Sequence, residues 1–119
     1  MIESALLCLT LNLYHEARGE PIEGQIAVTL VVLNRAKRNR TSICHEVYRP
    51  NQFSWTKKPP AIKKREVLSK LKKVARIATK LEDFTGGADH YHAKTVSPEW
   101  AESLVYVGKW GDHLFYKRK

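Results

Sequence analysis

Seven of the eight residues from Ile26 to Leu33 are apolar, with Thr29 the single interruption. A run of eight is far too short to cross a bilayer, which takes about 20 residues, so it has to be buried in protein. The segment from Gln25 to about Arg38 reads as one helix, apolar over most of its circumference, and such a helix belongs at the centre of others. Pro21 suits its first position, where a missing N–H costs nothing. The basic stretch Arg35 to Arg40 closes it by placing cations at the negative end of the helix dipole. A chain of 119 residues supplies one domain around this helix and no more.

The surroundings can be read in order. Ala5, Leu6, Leu9, Leu13 and Ala17 recur at helical spacing, with Leu7, Leu11 and Tyr14 widening the stripe. Gly19 ends that first helix. Thr41 and Ser42 are suited to cap a short helix through Val47 and Tyr48. Pro50, Pro59 and Pro60 forbid a long regular element from Pro50 to Ala61. A third long helix is expected over about Lys63 to Leu81, with Val67, Leu68, Leu71, Val74, Ala75 and Ala78 inward. Gly86-Gly87 marks a turn. His90 to Ala93 reads as a short strand, Ser97-Pro98-Glu99-Trp100 as the start of a one- or two-turn helix, and Trp100 as a packing anchor. Val105 to Val107 and Leu114 to Tyr116 are β-prone runs beside Gly108 and Gly111. The expected fold is α+β: one helix-rich domain over residues 1–119, with a small antiparallel sheet in the C-terminal third.

With 43% apolar and 28% charged residues the chain is globular rather than disordered. Lys and Arg number 21 against 12 Asp and Glu, a formal net charge of +9, and the pI is near 9.7. Such a domain seeks polyanions: nucleic acid, a membrane surface or the anionic polymers of a bacterial envelope. The basic face of the helix from Lys63 to Lys80 lacks aromatic interleaving, and no nucleic-acid-binding motif accompanies it, so no specific nucleic-acid partner is expected. Cys8 and Cys44 make no disulfide framework and no CxxC pair, and Cys8 reads as a small core residue. The opening Met-Ile-Glu-Ser has no basic n-region, and no small-residue cleavage site follows the apolar run. The expectation is a chain made in a cytoplasm without a secretory signal.

Chemistry concentrates where the first helix ends, in Tyr14-His15-Glu16-Ala17-Arg18-Gly19-Glu20-Pro21. Glu16 falls among the core-forming positions of its helix, so its carboxyl points toward a semi-buried cleft. Burial raises a carboxyl pKa, which keeps the acid protonated near neutral pH and able to act as a general acid. An ion pair with Arg18 or Arg35 is the structural alternative. Glu20 is a second carboxylate, equally readable as a charge at the positive end of the second helix. Asp89 and Asp112, in turns, could orient a hydroxyl or water.

The run from Tyr14 through Val28, followed by Val31-Val32-Leu33-Asn34-Arg35, closely resembles the opening of the SleB-type cell wall hydrolase domain. Three later pieces keep the same order: Gln52-Phe53-Ser54-Trp55, then Gly86-Gly87-Ala88-Asp89-His90-Tyr91-His92, then Pro98-Glu99-Trp100 with Gly111-Asp112-His113-Leu114-Phe115-Tyr116. The resemblance implies a lysozyme-like peptidoglycan glycosidase, without metal or cofactor, in which a glutamate closing the first helix is the acid and base. Here that glutamate is Glu16. Cleavage between MurNAc and GlcNAc as a lytic transglycosylase needs one such carboxyl, whereas a hydrolytic muramidase usually needs two. In that alternative Glu20 or an aspartate would activate water.

Glycans are held by aromatic faces and planar polar groups, which makes Gln25, Phe53, Trp55, Tyr91 and His113 the candidate substrate contacts; Phe53 and Trp55 also read as lids of the core. Arg18, Asn34 and Arg35 read as braces of the motif. A zinc amidase is a third possibility, if His90 and His92 on one strand converge with His113 on a partner strand. The partners expected are peptidoglycan and an anionic envelope surface, met by a monomer without a transmembrane segment. The place of action would be the wall, in the periplasm or envelope, as for a phage endolysin.

Overall fold

A computed structural model of the chain describes residues 3–49 and 65–119. Four helices, α1 (Glu3–Ala17), α2 (Ile22–Asn39), α3 (Ile43–Val47) and α4 (Arg65–Ala78), precede three strands, β1 (His90–Ala93), β2 (Val105–Trp110) and β3 (His113–Lys117). A short 3-10 helix, Glu99–Ser103, stands between β1 and β2. The α+β, helix-rich reading is correct, and among the described residues each expected helix and strand forms within a few residues of its expected place, while the expected loop from Pro50 to Ala61 lies outside them.

The reason lies in the apolar positions. On α1, Leu6, Leu9, Leu13 and Ala17 are buried; on α2, Ala27, Val28, Val31 and Val32 are fully inside. Val47, Leu71, Ala75, Ala88 and Phe115 complete one continuous core. Local capping agrees with the packing. Ser42 Oγ accepts the His45 N–H at 3.0 Å and starts α3, while Arg40 turns left-handed (φ 54°) to end α2.

The three strands form an antiparallel sheet in the order β1-β3-β2. Its register sets Tyr91 opposite Phe115 and Ala93 opposite His113, while His90 and His92 face Tyr116 and Leu114. Because strand side chains alternate, Tyr91, His113 and Phe115 share the face turned to the helices. His90, His92 and Tyr116 share the other. Trp100 covers that outer face, its ring 5.2 Å from His90, 5.6 Å from His92 and 5.6 Å from Tyr116. It remains 36% exposed, so it anchors the 3-10 helix to the sheet rather than filling the core.

One expectation is corrected. Cys8 is buried in the core as expected, but it is not a free thiol: it forms a disulfide with Cys44, with Cα atoms 5.4 Å apart. The sequence spacing hid this pair because nothing local brings the two together. They meet only because α3 packs across the first turns of α1.

A buried carboxylate fixes the corner after α2. Glu46 lies 1% exposed in α3, where burial alone would raise its pKa. Hydrogen bonds from Arg49, Thr41 and Asn39, with the charge of Arg49, reverse that and bring it down to about 2. Arg49 grips it with two donors, at 3.1 and 2.7 Å.

Candidate active site

Glu16 occupies the last turn of α1, one residue before the fully buried Ala17. Its carboxyl is half-buried, and burial is the cause that raises its pKa above the usual value. No ion pair of Glu16 with Arg18 or Arg35 is found among the described residues. Arg18 instead donates to the Tyr14 carbonyl at 2.7 Å and lies over the Tyr14 ring at 4.6 Å. Arg35 donates from Nε to the Asp89 carbonyl at 2.5 Å. Neither of these two guanidiniums therefore neutralises the Glu16 carboxyl.

The chain around Glu16 is held from two sides. Gln25, buried on the first turn of α2, donates its amide to the carbonyls of Ala17 (3.1 Å) and Arg18 (3.4 Å). A helix end leaves its final carbonyls without partners. The Gln25 side chain supplies them and so fixes the α1–α2 corner. From the sheet, Tyr91 brings its buried hydroxyl close enough for its ionisation to be coupled to Glu16. Burial first and the Glu16 charge second push the phenol well above its usual range, against the opposing effects of the Arg35 charge and a hydrogen bond with Asn12. Tyr91 thus stays a neutral phenol beside the acid.

Glu20 is placed differently. Its Oε1 accepts the Asp112 N–H at 2.5 Å and lies 3.3 Å from His113 Nδ1. It ties the α1–α2 turn to the β2–β3 hairpin. The hairpin turn admits this only with glycine at position 111: φ is +62°, and a Cβ there would collide with the same Glu20 oxygen. His113 is 8% exposed, with its ring edge-on to Tyr91 at 5.2 Å. Gln25, Tyr91, His113 and Glu20 therefore gather around the corner that carries Glu16, with Gln25 and His113 buried and Tyr91 and Glu20 partly exposed. Phe53 and Trp55 lie outside the described residues.

The other acids are engaged. Asp89 is buried, in an ion pair with Arg38 and 2.8 Å from His90 Nδ1. Asp112 is exposed and faces Lys94 at 3.1 Å. The Asn34-Arg35 pair braces the motif as expected: Asn34 Nδ2 donates to the Ala88 carbonyl at 2.8 Å and to Asp83 at 3.0 Å, and Arg35 holds the next carbonyl. Asp83 in turn receives the N–H groups of Thr85 and Gly87, both at 2.8 Å, which shapes the Gly86-Gly87 turn.

The three histidines weighed for zinc do not converge. His113 is on the helix-facing side of the sheet, His90 and His92 on the opposite side. Among the described residues no group of three His, Cys, Asp or Glu is arranged to hold a metal ion. Two contributors escaped the sequence reading, Asn12 and Asp83. Asn12 had one signal, a polar residue on the buried stripe of α1, where it is 1% exposed.

A family model described as cell wall hydrolase matches residues 19–116. Glu16 lies just before that span. The catalytic domain of the germination-specific lytic transglycosylase SleB from Bacillus anthracis superimposes with a TM-score of 0.80 at 26% identity, covering 98% of this chain and 97% of that one. The catalytic domain of the Bacillus cereus SleB protein does so with a TM-score of 0.77 at 29% identity, covering 98% and 93%. No curated protein matches the sequence.

Proposed function

The chain belongs to the cell wall hydrolase family, and from that premise we propose that it is a lytic transglycosylase cutting peptidoglycan between MurNAc and GlcNAc, with Glu16 as its one acid and base. The observation that carries this reading is the half-buried carboxyl at the end of α1, raised by burial and without an ion-pair partner among the described residues. The likeness to a SleB domain described as a lytic transglycosylase supports the same chemistry.

The reaction makes two demands on one group. Protonated Glu16 gives its proton to the glycosidic oxygen as the C1–O bond of the muramyl sugar breaks and positive charge builds on the ring. The carboxylate left behind then accepts the proton of the muramyl 6-hydroxyl, whose oxygen bonds to C1. The product is a 1,6-anhydro sugar, water is not consumed, and Glu16 ends protonated. A pKa raised above the ordinary carboxylate value suits both halves, since the group must give a proton and recover it at one pH.

The buried places of Gln25 and His113 and the buried hydroxyl of Tyr91 support roles in holding Glu16 and the hairpin, and leave sugar stacking to Phe53 and Trp55. For Glu20, the contacts to the Asp112 N–H and His113 support a tether rather than an activator of water. The disulfide favours action outside the reducing cytoplasm, in the periplasm or envelope. No helix among the described residues is long and apolar enough to cross a membrane.

Mass spectrometry of purified murein after digestion tests the proposal. Anhydromuramyl ends are the expected product. Reducing muramyl ends alone would replace it with the hydrolytic muramidase, and release of peptide from intact glycan with an amidase.

A further inference from the structure

Beside Arg35 and Arg38 the structure holds a concavity that the glycosidase chemistry does not use. It is a cavity of about 140 Å³ lined by Arg35, Arg38, Arg49, Arg118, His90 and Asn39, with Glu46 the only acidic wall among the described residues. Four guanidiniums from four places in the chain meet here: two from successive turns of α2, one just past α3 and one just past β3. Asp89 and Glu46 are the carboxylates that balance them, leaving two positive charges in excess.

The donors are also in excess. Glu46 takes Nε and Nη2 of Arg49. Asp89 takes Nη1 of Arg38, whose Nε reaches Asn39 Oδ1 at 3.4 Å. Each guanidinium carries five N–H donors in a rigid planar fork and no acceptor. Among the described residues, the remaining terminal nitrogens of Arg38 and Arg49 thus keep donors beyond those contacts. Arg118 has no ion-pair or hydrogen-bond partner among the described residues. Two of the four guanidiniums are fixed by their carboxylates before any ligand arrives, so little ordering cost remains on binding.

We propose that this cavity is a binding site for a phosphoryl oxyanion, separate from the glycan-cleaving centre. The tetrahedral phosphoryl group is the ligand chemistry that matches converging guanidinium forks, which bind it through paired N–H···O contacts. Phosphate-bearing polymers of an envelope, phospholipid headgroups and free phosphate all present that group. In each case the site would hold the basic domain at a surface in a defined orientation, where net charge alone would only attract it. The inference does not depend on the peptidoglycan reading.

The test is a titration of the full chain with inorganic phosphate at constant ionic strength, following the arginine Nε–Hε resonances by NMR, with chloride as the control. Saturable shifts at Arg38, Arg49 and Arg118 are expected with phosphate only. Arg118→Gln should weaken phosphate binding about tenfold, as for the loss of one charged donor pair, and leave the thermal midpoint without phosphate unchanged. A second arm uses phosphatidylcholine vesicles with and without phosphatidate. Retention by phosphatidate that Arg118→Gln abolishes supports the site with a membrane headgroup as its source, and phosphate binding without vesicle retention supports it with a soluble or polymeric one. Shifts that never saturate, or that are equal in Arg118→Gln, overturn the proposal.

Discussion

Glu16→Gln should lower murein cleavage by roughly a thousandfold, the usual worth of a positioned general acid, and should leave the fold intact. Glutamine keeps the length and planarity of the side chain but has no proton to give to a glycosidic oxygen. Release of soluble fragments from purified sacculi measures the loss, and turnover within a few fold of the parent would remove Glu16 from the reaction. The same variant has a second, opposite effect. Burial raises the folded-state pKa of Glu16 above its ordinary value of 4.5. A group raised in this way contributes its full share of stability below the unfolded pKa and loses it as pH rises through the folded pKa. Glutamine has no charged form to penalise. The thermal midpoint of Glu16→Gln should therefore match the parent below pH 4.5 and exceed it increasingly at neutral pH. A dead enzyme that is more stable at neutral pH is the signature of a carboxyl kept in place for chemistry.

Reduction of the Cys8–Cys44 disulfide should cost about 4 kcal/mol of stability, by the loop-entropy estimate for a sequence separation of 36. Against the 5–15 kcal/mol typical of a domain that is a large fraction, equivalent to a fall of roughly 15 °C in the thermal midpoint. Calorimetry with and without a thiol reductant checks it, with Cys8→Ser plus Cys44→Ser as a variant that reductant should not affect further. Equal midpoints in oxidised and reduced protein would mean that α1 and α3 are held together by packing alone. The link matters for function because α1 carries Glu16 at its far end, so that helix cannot shift against the core without moving the acid.

Most of the fold could be read from the chain because the determinants are local. The stripe on α1, the nearly continuous apolar run of α2 and the glycines beside β2 each act within a few residues of where they stand. The site was legible in part. Glu16 could be placed by its position on the stripe, and the Asn34-Arg35 brace by its motif, because each depends on one element and its immediate neighbour. What the sequence hid was pairing over distance. Cys44 meets Cys8 across 36 residues, and Glu20 reaches Asp112 across 92. Gln25, which reads as a glycan contact, turns its amide onto the end of α1. That depends on the angle between α1 and α2, which no spacing rule encodes. The three histidines failed to converge for a related reason: strand alternation is legible, but the register that sets His113 against Ala93 joins β1 to β3, which are separated in the chain by the 3-10 helix and β2.

The ionisation of Glu16 itself is the point on which the catalytic account stands. Carbon-13 NMR of the labelled side-chain carboxyl, titrated in the intact chain and assigned by its disappearance in Glu16→Gln, measures it without reference to any substrate. A midpoint above the ordinary 4.5 is expected. A midpoint at or below 4.5 would show a solvated or salt-bridged carboxylate, and would contradict the catalytic account.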